Sequence, residues 1–342
     1  NTSGAYNVAI GTKSLNSNTI GGQNTALGYG SLASNTWATN NTAIGWSALL
    51  TSTGVSNTAV GAAAMKNNVA GYINTAVGVN ALFNNSGATA NNNTAIGVAT
   101  LYNTTNAQYN TALGHYAGSH FDNGYNNVFL GANTDVTGAG FFNVIAIGQG
   151  TVCTASSQVT IGNGATNSYR AYANWSNISD GRFKKNIQEN VPGLAFITQL
   201  RPVTYNLNAT DLNNFLHSGN NTIAPAGTNN DRAAASTTDE TAKAAITRAL
   251  QEKEQVIQTG FVAQEVEATA QKMGFNFSGI DAPASDKDVY GLRYAEFVVP
   301  LVKAVQEQQQ QIELLKKENQ SQKDTNALLQ KQINELKALI KK

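Results

Sequence analysis

One short stretch of the chain, from Ser179 to Ile187, contains residue types that together could cleave a peptide bond. Ser179 carries a hydroxyl that can act as a nucleophile, and Lys184 and Lys185 are candidate bases. A serine hydroxyl is a weak nucleophile until a base accepts its proton, and lysine can accept it only when neutral, which burial or a neighbouring cation favours. Because this stretch lies where two kinds of sequence meet, the pattern suggests a cut between them.

The charges of the chain are distributed very unevenly around this boundary. Up to residue 178 the sequence has three basic residues (Lys13, Lys66 and Arg170) and two acidic ones (Asp122 and Asp135). The other 19 basic and 19 acidic residues, and all five prolines, follow. Each part is therefore near neutral, in keeping with a net charge of +1, and this argues against an electrostatic nucleic-acid binder.

The composition also bears on metals, cofactors and membranes. Cys153 is the only cysteine, and the three histidines are scattered, so we expect no disulfide within the chain, no metal site and no cofactor. No apolar run approaches the roughly 18 residues of a membrane span, and no signal peptide is visible, so membrane insertion is not expected. The sequence opens in the middle of a repeat at Asn1, which predicts a piece of a longer protein.

The first half of the chain repeats the motif Asn-Thr-Ala-apolar-Gly. The closing glycines fall at positions 11, 28, 45, 61, 78, 97, 114, 131, 148 and 162. Most steps are 17 residues, and a fixed period of this length is typical of stacked coils. The fold predicted for residues 1–165 is therefore a β-solenoid with one coil per repeat.

Each repeat is predicted to form two short strands, one at Thr-Ala-apolar and one after a turn, as at Trp46–Leu50. Alternation along the first strand places Ala and Gly on one face and Thr and the aliphatic residue on the other. The asparagines suit the turns and can form ladders from coil to coil. One coil encloses little volume, so we expect three chains to pack around one axis, with Ala and Gly permitting close approach.

These repeats resemble the heads of trimeric autotransporter adhesins, which are parallel β-rolls packed as trimers, and related stems of phage tail fibres. The resemblance covers about residues 1–165 and implies a mainly β, trimeric parallel β-roll or β-solenoid. Any individual coil could equally be a spacer without a ligand site. Several aromatic residues are candidates either for receptor contact or for packing between coils: Trp37, Tyr109, Tyr116, Phe121 and Tyr125.

Three blocks in the second half carry a further resemblance. They are Ser-Asp-x-Arg-x-Lys-x-Asn-Ile at 179–187, Gly-Phe-Val-Ala-Gln-Glu-Val at 260–266, and residues 294–305 leading into heptads. In this order they resemble the intramolecular chaperone domain of phage tail spikes and fibres, the endosialidase type, which is an auto-processing serine peptidase. Between the first two blocks, the polar stretch from Asn206 to Thr238 is predicted to be a loop, and Thr238–Gln258 is predicted to be a helix.

The resemblance implies an α+β chaperone domain and a single-turnover, self-cleaving serine endopeptidase. The scissile bond would be Ile178–Ser179, with Ser179 as the nucleophile and Lys184 as the base. Because Ser179 follows the bond, it can attack its own preceding carbonyl and leave an ester for water to hydrolyse. Four neighbours are candidates for supporting roles: Asp180, Arg182, Lys185 and Asn186.

The spacing of Ser179 and Lys184 sets a geometric condition. Residues five apart point to opposite faces of a strand and lie about 140° apart around a helix. The two side chains therefore meet within one chain only if the segment bends, which Gly181 would permit, or else they meet between protomers. The alternative for Ser179 is a helix N-cap at the start of a solvated basic stretch.

The chain ends in a heptad pattern. Its first core position is occupied by Val298, Val305, Ile312, Asn319, Asn326, Ile333 and Ile340, and its second by Leu301, Gln308, Leu315, Gln322, Leu329 and Leu336. Ile and Leu in this order favour two parallel strands, whereas the tail-fibre resemblance implies three. We expect a trimeric coiled coil whose polar belt at 319–326 fixes the register at a cost in stability.

The predicted order is a stem at 1–165, a junction at 166–178, a chaperone and auto-peptidase domain at 179–300, and a coiled coil at 301–342. We expect a homotrimeric distal tail fibre or adhesin-like appendage, made in the host cytoplasm and extracellular on a virion or phage-like particle, with a host-surface receptor as its partner. Two alternatives stay open: a non-cleaving trimeric surface adhesin or structural fibre, and a tailspike depolymerase. The second is disfavoured because no carboxylate pair exists before Asp122.

Overall fold

The structure, a computed structural model, describes residues 1–218 and 232–340, with the side chains of all these residues except 232–242 and 338–340. The chain divides into two compact units. The first comprises Asn1–Tyr169, Asn206–Ile257 and Pro283–Val289, and the second comprises Arg170–Tyr205, Gln258–Ala282 and Tyr290–Lys342. The bounds of the four segments predicted from the sequence stay predictions.

The first unit is built on a parallel β-solenoid, which confirms the predicted fold class. Its main sheet has ten strands, each hydrogen-bonded to the strand of the next coil. These strands are β1 (Val8–Ile10), β2 (Thr25–Leu27), β3 (Thr42–Ile44), β4 (Thr58–Val60), β5 (Thr75–Val77), β6 (Thr94–Ile96), β7 (Thr111–Leu113), β8 (Val128–Leu130), β10 (Ile145–Ile147) and β12 (Val159–Ile161). A second, two-stranded parallel sheet joins β9 (Asp135–Val136) to β11 (Val152–Cys153).

The register of the main sheet places identical residues above one another. Thr25 pairs with Thr42, Ala26 with Ala43, and Leu27 with Ile44, and the same pairing continues along the stem. The alternation correctly put alanine on the face opposite threonine and the aliphatic residue, and in most strands this central alanine is fully buried inside its own coil. The flanking threonine and aliphatic side chains therefore face outward.

The predicted second strand is present in the last two coils, as β9 and β11, but the prediction is wrong for the other coils. The segment from Trp46 to Leu50 is a turn, and Ser47 and Leu49 adopt left-handed φ values of 54° and 50°. The corresponding positions are also left-handed in the other coils that lack the second strand, for example at Ala63 and Met65. Left-handed backbone interrupts an extended strand, and a buried side chain such as Leu49 offsets its cost by filling the coil interior.

The expected use of small residues at a three-chain axis is also wrong. The strand alanines are enclosed within the single chain, and the motif glycines stack on one another between coils. A Cβ added to Gly61 would lie 2.4 Å from the carbonyl oxygen of Gly78, and Gly61 has a φ of +136°. The small residues therefore permit successive coils of one chain to approach closely.

The motif asparagines form a buried ladder through the stem. The backbone N–H of Asn41 donates to Oδ1 of Asn24 at 3.0 Å, and Nδ2 of Asn24 donates to the carbonyl of Ala38 at 2.9 Å. The pattern repeats from coil to coil until Val144, whose N–H donates to Oδ1 of Asn127 at 2.8 Å. Each amide thus satisfies backbone groups that would otherwise be buried without partners.

Two helices belong to the same unit as the stem. They are α2 (Ala209–His217) and α3 (Arg232–Glu254), so the predicted loop before residue 238 is wrong at both ends, and its remainder, 219–231, lies outside the described residues. Asn208 caps α2 by accepting from the N–H of Asp211. Lys253 Nζ donates to the carbonyls of Gly164 and Thr166 at 3.1 and 3.0 Å, which ties α3 to the last coil.

The second unit has a small aromatic core. It contains α1 (Leu194–Ile197), β13 (Val203–Asn206) paired with β14 (Ile257–Gly260), α4 (Ala263–Lys272), and the antiparallel pair β15 (Ile280–Asp281) and β16 (Gly291–Leu292). The core residues are Phe196, Val266, Ala270, Phe277 and Phe297. This mixture of short strands and helices confirms the predicted α+β class for the part after the stem.

The chain ends in one long helix, α5 (Val298–Ile340), preceded by a 3₁₀ turn at Tyr294–Phe297. Pro300 lies in the first helical turn, where its missing N–H has no helical partner to lose. Most apolar heptad side chains are exposed in the single chain, including Leu301, Val305 and Leu315. Among the residues that the structure describes, no helix combines the length and the apolar character needed to cross a membrane.

Candidate active site

The segment that carries the candidate catalytic residues lies at the start of the second unit and is strongly exposed. From Arg170 to Asn190 every residue is exposed except Asp180, which is half-buried. The regular structure in this stretch is a 3₁₀ helix at Gly181–Phe183. Asp180 is its N-cap and accepts a hydrogen bond from the N–H of Arg182, so the N-cap alternative for Ser179 is wrong.

This 3₁₀ turn brings Ser179 and Lys184 together within one chain. Lys184 Nζ donates to Ser179 Oγ at 2.8 Å. Gly181 does not provide the bend through a left-handed conformation, because it is absent from the positive-φ glycines, and a Cβ added there would meet nothing within 4 Å. The turn depends instead on the cap at Asp180 and on the hydrogen bond from the N–H of Lys184 to the carbonyl of Gly181.

Asp180 and Arg182 form a tight pair beside this contact. Arg182 Nε donates to both carboxylate oxygens of Asp180, at 3.1 and 2.9 Å. Hydrogen bonds from Arg182 lower the pKa of the Asp180 carboxyl, and the same pairing raises the pKa of the Arg182 guanidinium. The guanidinium also lies 5.6 Å from the centre of the Phe183 ring. Asp180 therefore neutralises the charge that Arg182 was expected to direct towards the base.

The other two predicted supporting residues have different positions. Lys185 is exposed. Asn186 adopts a left-handed backbone with a φ of 53°, a conformation that asparagine tolerates better than most residues. Asn186 thus has an evident backbone role directly after the two lysines, and the catalytic roles of all these residues stay predictions.

The single chain leaves the Ser179–Lys184 contact in solvent. Both side chains are exposed, and the neighbouring Ile178 is 97% exposed. Neutral lysine, the form that accepts a proton, is favoured by burial. Phe183 and Ile187 lie on either side of Lys184 in the sequence and are 77% and 75% exposed. A partner that covers these apolar side chains would supply such burial.

The second and third motif blocks contact each other in the core of the second unit. The N–H of Phe261 donates to the hydroxyl of Tyr294 at 3.1 Å, and the rings of Phe261 and Phe297 stack with centroids 5.3 Å apart. Gly260 is needed at this point because a Cβ there would lie 2.3 Å from the Tyr294 hydroxyl. These blocks therefore form the framework of the unit.

A further polar cluster lies in the stem and was not predicted from the sequence. His120 Nδ1 lies 2.7 Å from Oδ2 of Asp135, and Ser119 Oγ lies 3.2 Å from the same nitrogen. In a Ser-His-Asp triad the serine and the carboxylate face opposite ring nitrogens, so this cluster is not a triad. The hydrogen bond to Asp135 raises the pKa of His120, although burial opposes the shift.

The candidate receptor-contact aromatics differ in exposure. Trp37, Tyr109 and Tyr125 are 51%, 56% and 41% exposed. Phe121, in contrast, is fully buried and packs against Phe129 with ring centroids 5.4 Å apart, so of the two roles offered for it the packing role is the one observed. Tyr116 is half-buried. Among the described residues, no group of three His, Cys, Asp or Glu side chains is placed to hold a metal ion.

Comparison with known proteins supports the resemblance of the second half. Residues 179–220 match the family model of the chaperone of endosialidase, peptidase S74, and the match begins at Ser179. This family is associated with self-cleaving peptidase activity. No curated protein and no solved structure matches the chain significantly. The match and the β-solenoid together fit a tail fibre with a C-terminal chaperone domain.

Proposed function

We propose that the chain is part of a homotrimeric tail fibre whose C-terminal part drives trimerisation and is then removed by cleavage between Ile178 and Ser179. The observation that carries the proposal is the 2.8 Å contact between Lys184 Nζ and Ser179 Oγ, at the first residue of the chaperone match. The site lies after the repeat stem, so one cut there separates the stem from the heptad helix.

The cleavage uses two steps that balance. In the first, neutral Lys184 accepts the proton of the Ser179 hydroxyl, and Oγ attacks the carbonyl carbon of Ile178. The C–N bond breaks, the proton passes from Lys184 to the departing amine of Ser179, and the Ile178 acyl group is left as an ester on Oγ. In the second, water attacks that ester, which restores the Ser179 hydroxyl and releases the Ile178 carboxylate. Each chain can react once.

The outer face of the stem supports assembly with further copies of the chain. The third residue of each main-sheet strand is aliphatic and outward-facing, and seven of these side chains are 37–58% exposed. They are Ile10, Leu27, Val77, Ile96, Leu113, Leu130 and Ile161. A continuous apolar column of this length marks an interaction surface, and we assign it to the contact between three stems. This column takes the place of the Ala and Gly face expected from the sequence.

The long helix supplies a second contact between copies. The apolar heptad side chains of α5 from Val298 to Leu336 are exposed in the single chain, and knobs-into-holes packing would bury them. Three chains joined by such a helix are held at high effective concentration and in one register. Strand pairing between distant parts of the sequence forms slowly, so early association of the C-terminal heptad helices favours correct stem assembly.

Contacts within the first unit join the helices α2 and α3, which follow the proposed scissile bond, to the stem. Besides Lys253, His217 Nε2 lies 3.1 Å from the carbonyl oxygen of Gly150, and Leu250 lies against Gly164. All three residues follow the proposed scissile bond, whereas their partners precede it. The helices α2 and α3 would therefore support the last coil until cleavage removes their covalent connection.

The expected location follows from the tail-fibre assignment. The protein would be made in the host cytoplasm, assembled on a virion or phage-like particle, and would bind a host-surface receptor outside the cell. Trp37, Tyr109 and Tyr125 are exposed residues at which receptor contact can be sought.

Intact-mass measurement together with light scattering tests this function. The purified wild-type chain should convert into fragments of 178 and 164 residues, and the stem fragment should have the mass of a trimer. The Ser179→Ala chain should stay at 342 residues and be trimeric. A wild-type trimer that stays uncut would support trimerisation and refute self-cleavage. A monomeric Ser179→Ala chain would refute the trimer.

A further inference from the structure

The segment directly before the proposed cleavage site carries large apolar residues that its own chain leaves uncovered. Tyr172, Trp175 and Ile178 are each at least 90% exposed. They lie in the second unit, but none belongs to its core. Three large apolar side chains within seven residues are costly to leave in water, because burial of their apolar surface is favourable.

These residues recur at every third position. A polyproline-type extended chain has three residues per turn, so positions 172, 175 and 178 would share one face. The structure forms neither helix nor strand between residues 170 and 178. The described backbone of 171–178 also makes no hydrogen bond to another segment, which leaves its conformation free to follow a partner.

The composition of the segment suits a partner that is a further copy of the same segment. In a parallel trimer identical residues meet at one level, so any charge would face two copies of itself. No residue from Ala171 to Ser179 is charged, and the charged residues Arg170 and Asp180 flank this segment. The small or polar residues Ala173, Asn174, Ser176 and Asn177 fill the intervening positions and can face water.

We infer that residues 171–178 form a three-chain neck in which Tyr172, Trp175 and Ile178 of each copy pack around a common axis. The inference rests on the proposed trimer, because the flanking stem and heptad helix bring the three segments together. The neck would end at the new carboxyl terminus created by the cut. It would thus hold the end of the stem closed after the heptad helix has left.

Cysteine cross-linking along the neck tests this arrangement. Single substitutions Tyr172→Cys, Ala173→Cys, Asn174→Cys and Trp175→Cys are introduced into the full-length Ser179→Ala chain, and each is treated with a short bis-maleimide. The axial positions 172 and 175 should give covalent dimers on denaturing gels, several-fold more than 173 and 174. The buried native Cys153 serves as the background control in the Ser179→Ala chain itself.

Light scattering of the same untreated samples separates the possible failures. Monomers would refute the proposed trimer, and the neck with it. Trimers that cross-link equally at all four positions would refute the neck alone. Strong cross-linking at 172 and 174, with little at 173 and 175, would indicate alternating strand packing and would also overturn the three-residue repeat. To guard against a misfolded cysteine variant, Trp175→Phe should keep the trimer and Trp175→Asn should hasten its dissociation at high temperature.

Discussion

Ser179 Oγ and Lys184 Nζ lie 2.8 Å apart although five positions separate the two residues. The 3₁₀ turn at Gly181–Phe183, capped by Asp180, produces this contact within one chain. The sequence left open whether these two side chains meet within one chain or between two chains. The structure brings them together within one chain. What neighbouring chains would add is burial, because both side chains are exposed.

The outward column of the stem should be sensitive to charge. Leu113→Glu places three carboxylates in the proposed apolar contact, at a cost of about 3 kcal/mol per chain for an uncompensated buried charge. We expect a lower melting temperature of the stem by circular dichroism. Trp37→Glu, which changes an exposed residue outside the strand column, should leave the melting temperature almost unchanged. Equal effects of the two substitutions would contradict the proposed contact between stems along the apolar column.

Removal of the heptad helix should disturb assembly. A chain that ends at Gln306 lacks the heptads from Ile312 onward, so the three copies lose the contact that sets their register. We expect monomers or aggregates in light scattering. A soluble, well-folded trimer from this truncation would show that the stem assembles without the heptad helix.

The glycine stack should tolerate no side chain. Gly61→Ala would place a Cβ 2.4 Å from the carbonyl oxygen of Gly78 at a φ of +136°, and such strain costs about 1–3 kcal/mol. The stem should therefore unfold at a lower denaturant concentration. Gly181→Ala is the matched control, since its Cβ meets nothing within 4 Å, and it should leave the stem unfolding and the cleavage unchanged.

The His120–Asp135 pair should make the stem less stable as the pH rises. The hydrogen bond to Asp135 raises the pKa of His120 in the folded state above its unfolded value of about 6.5. The stabilisation is then complete below about pH 6.5 and is lost as the pH rises through the folded pKa. Thermal unfolding of the wild-type chain across this range should show the decline, and His120→Gln should flatten it. An identical slope in both chains would contradict the assignment.

The repeat pattern predicted the stem well because its signal is local and multiplied. Ten glycines in register fixed the coil length, and alternation at Thr-Ala-apolar correctly put alanine on the face opposite threonine and the aliphatic residue, but it did not place that face inside the coil of a single chain. In most coils the second strand was wrong because positions such as Ser47 and Leu49 adopt left-handed backbone, which residue propensity does not indicate for leucine. Stacking of neighbouring coils overrides that propensity, and no single repeat reveals it.

The sequence motif proposed the residues of the candidate site, whose catalytic roles stay predictions, but it did not predict their local structure. The sequence motif indicated Ser179 and Lys184, whereas the bend was attributed to Gly181 and is in fact built on the Asp180 cap. Arg182 could not be known to pair with Asp180, because two residues so close in sequence can point apart or together. The His120–Asp135 contact depends on two coils lying side by side, so it required the structure.

The most direct test of the account is the intact mass of four chains purified in parallel: wild type, Ser179→Ala, Lys184→Ala and Lys185→Ala. The account predicts cleavage between Ile178 and Ser179 in the wild type and in Lys185→Ala, and no cleavage in the other two. Circular dichroism should show that all four are folded, because Ser179, Lys184 and Lys185 are exposed and lie outside both cores. Cleavage of Lys184→Ala at the wild-type rate would contradict the central claim that Lys184 activates Ser179.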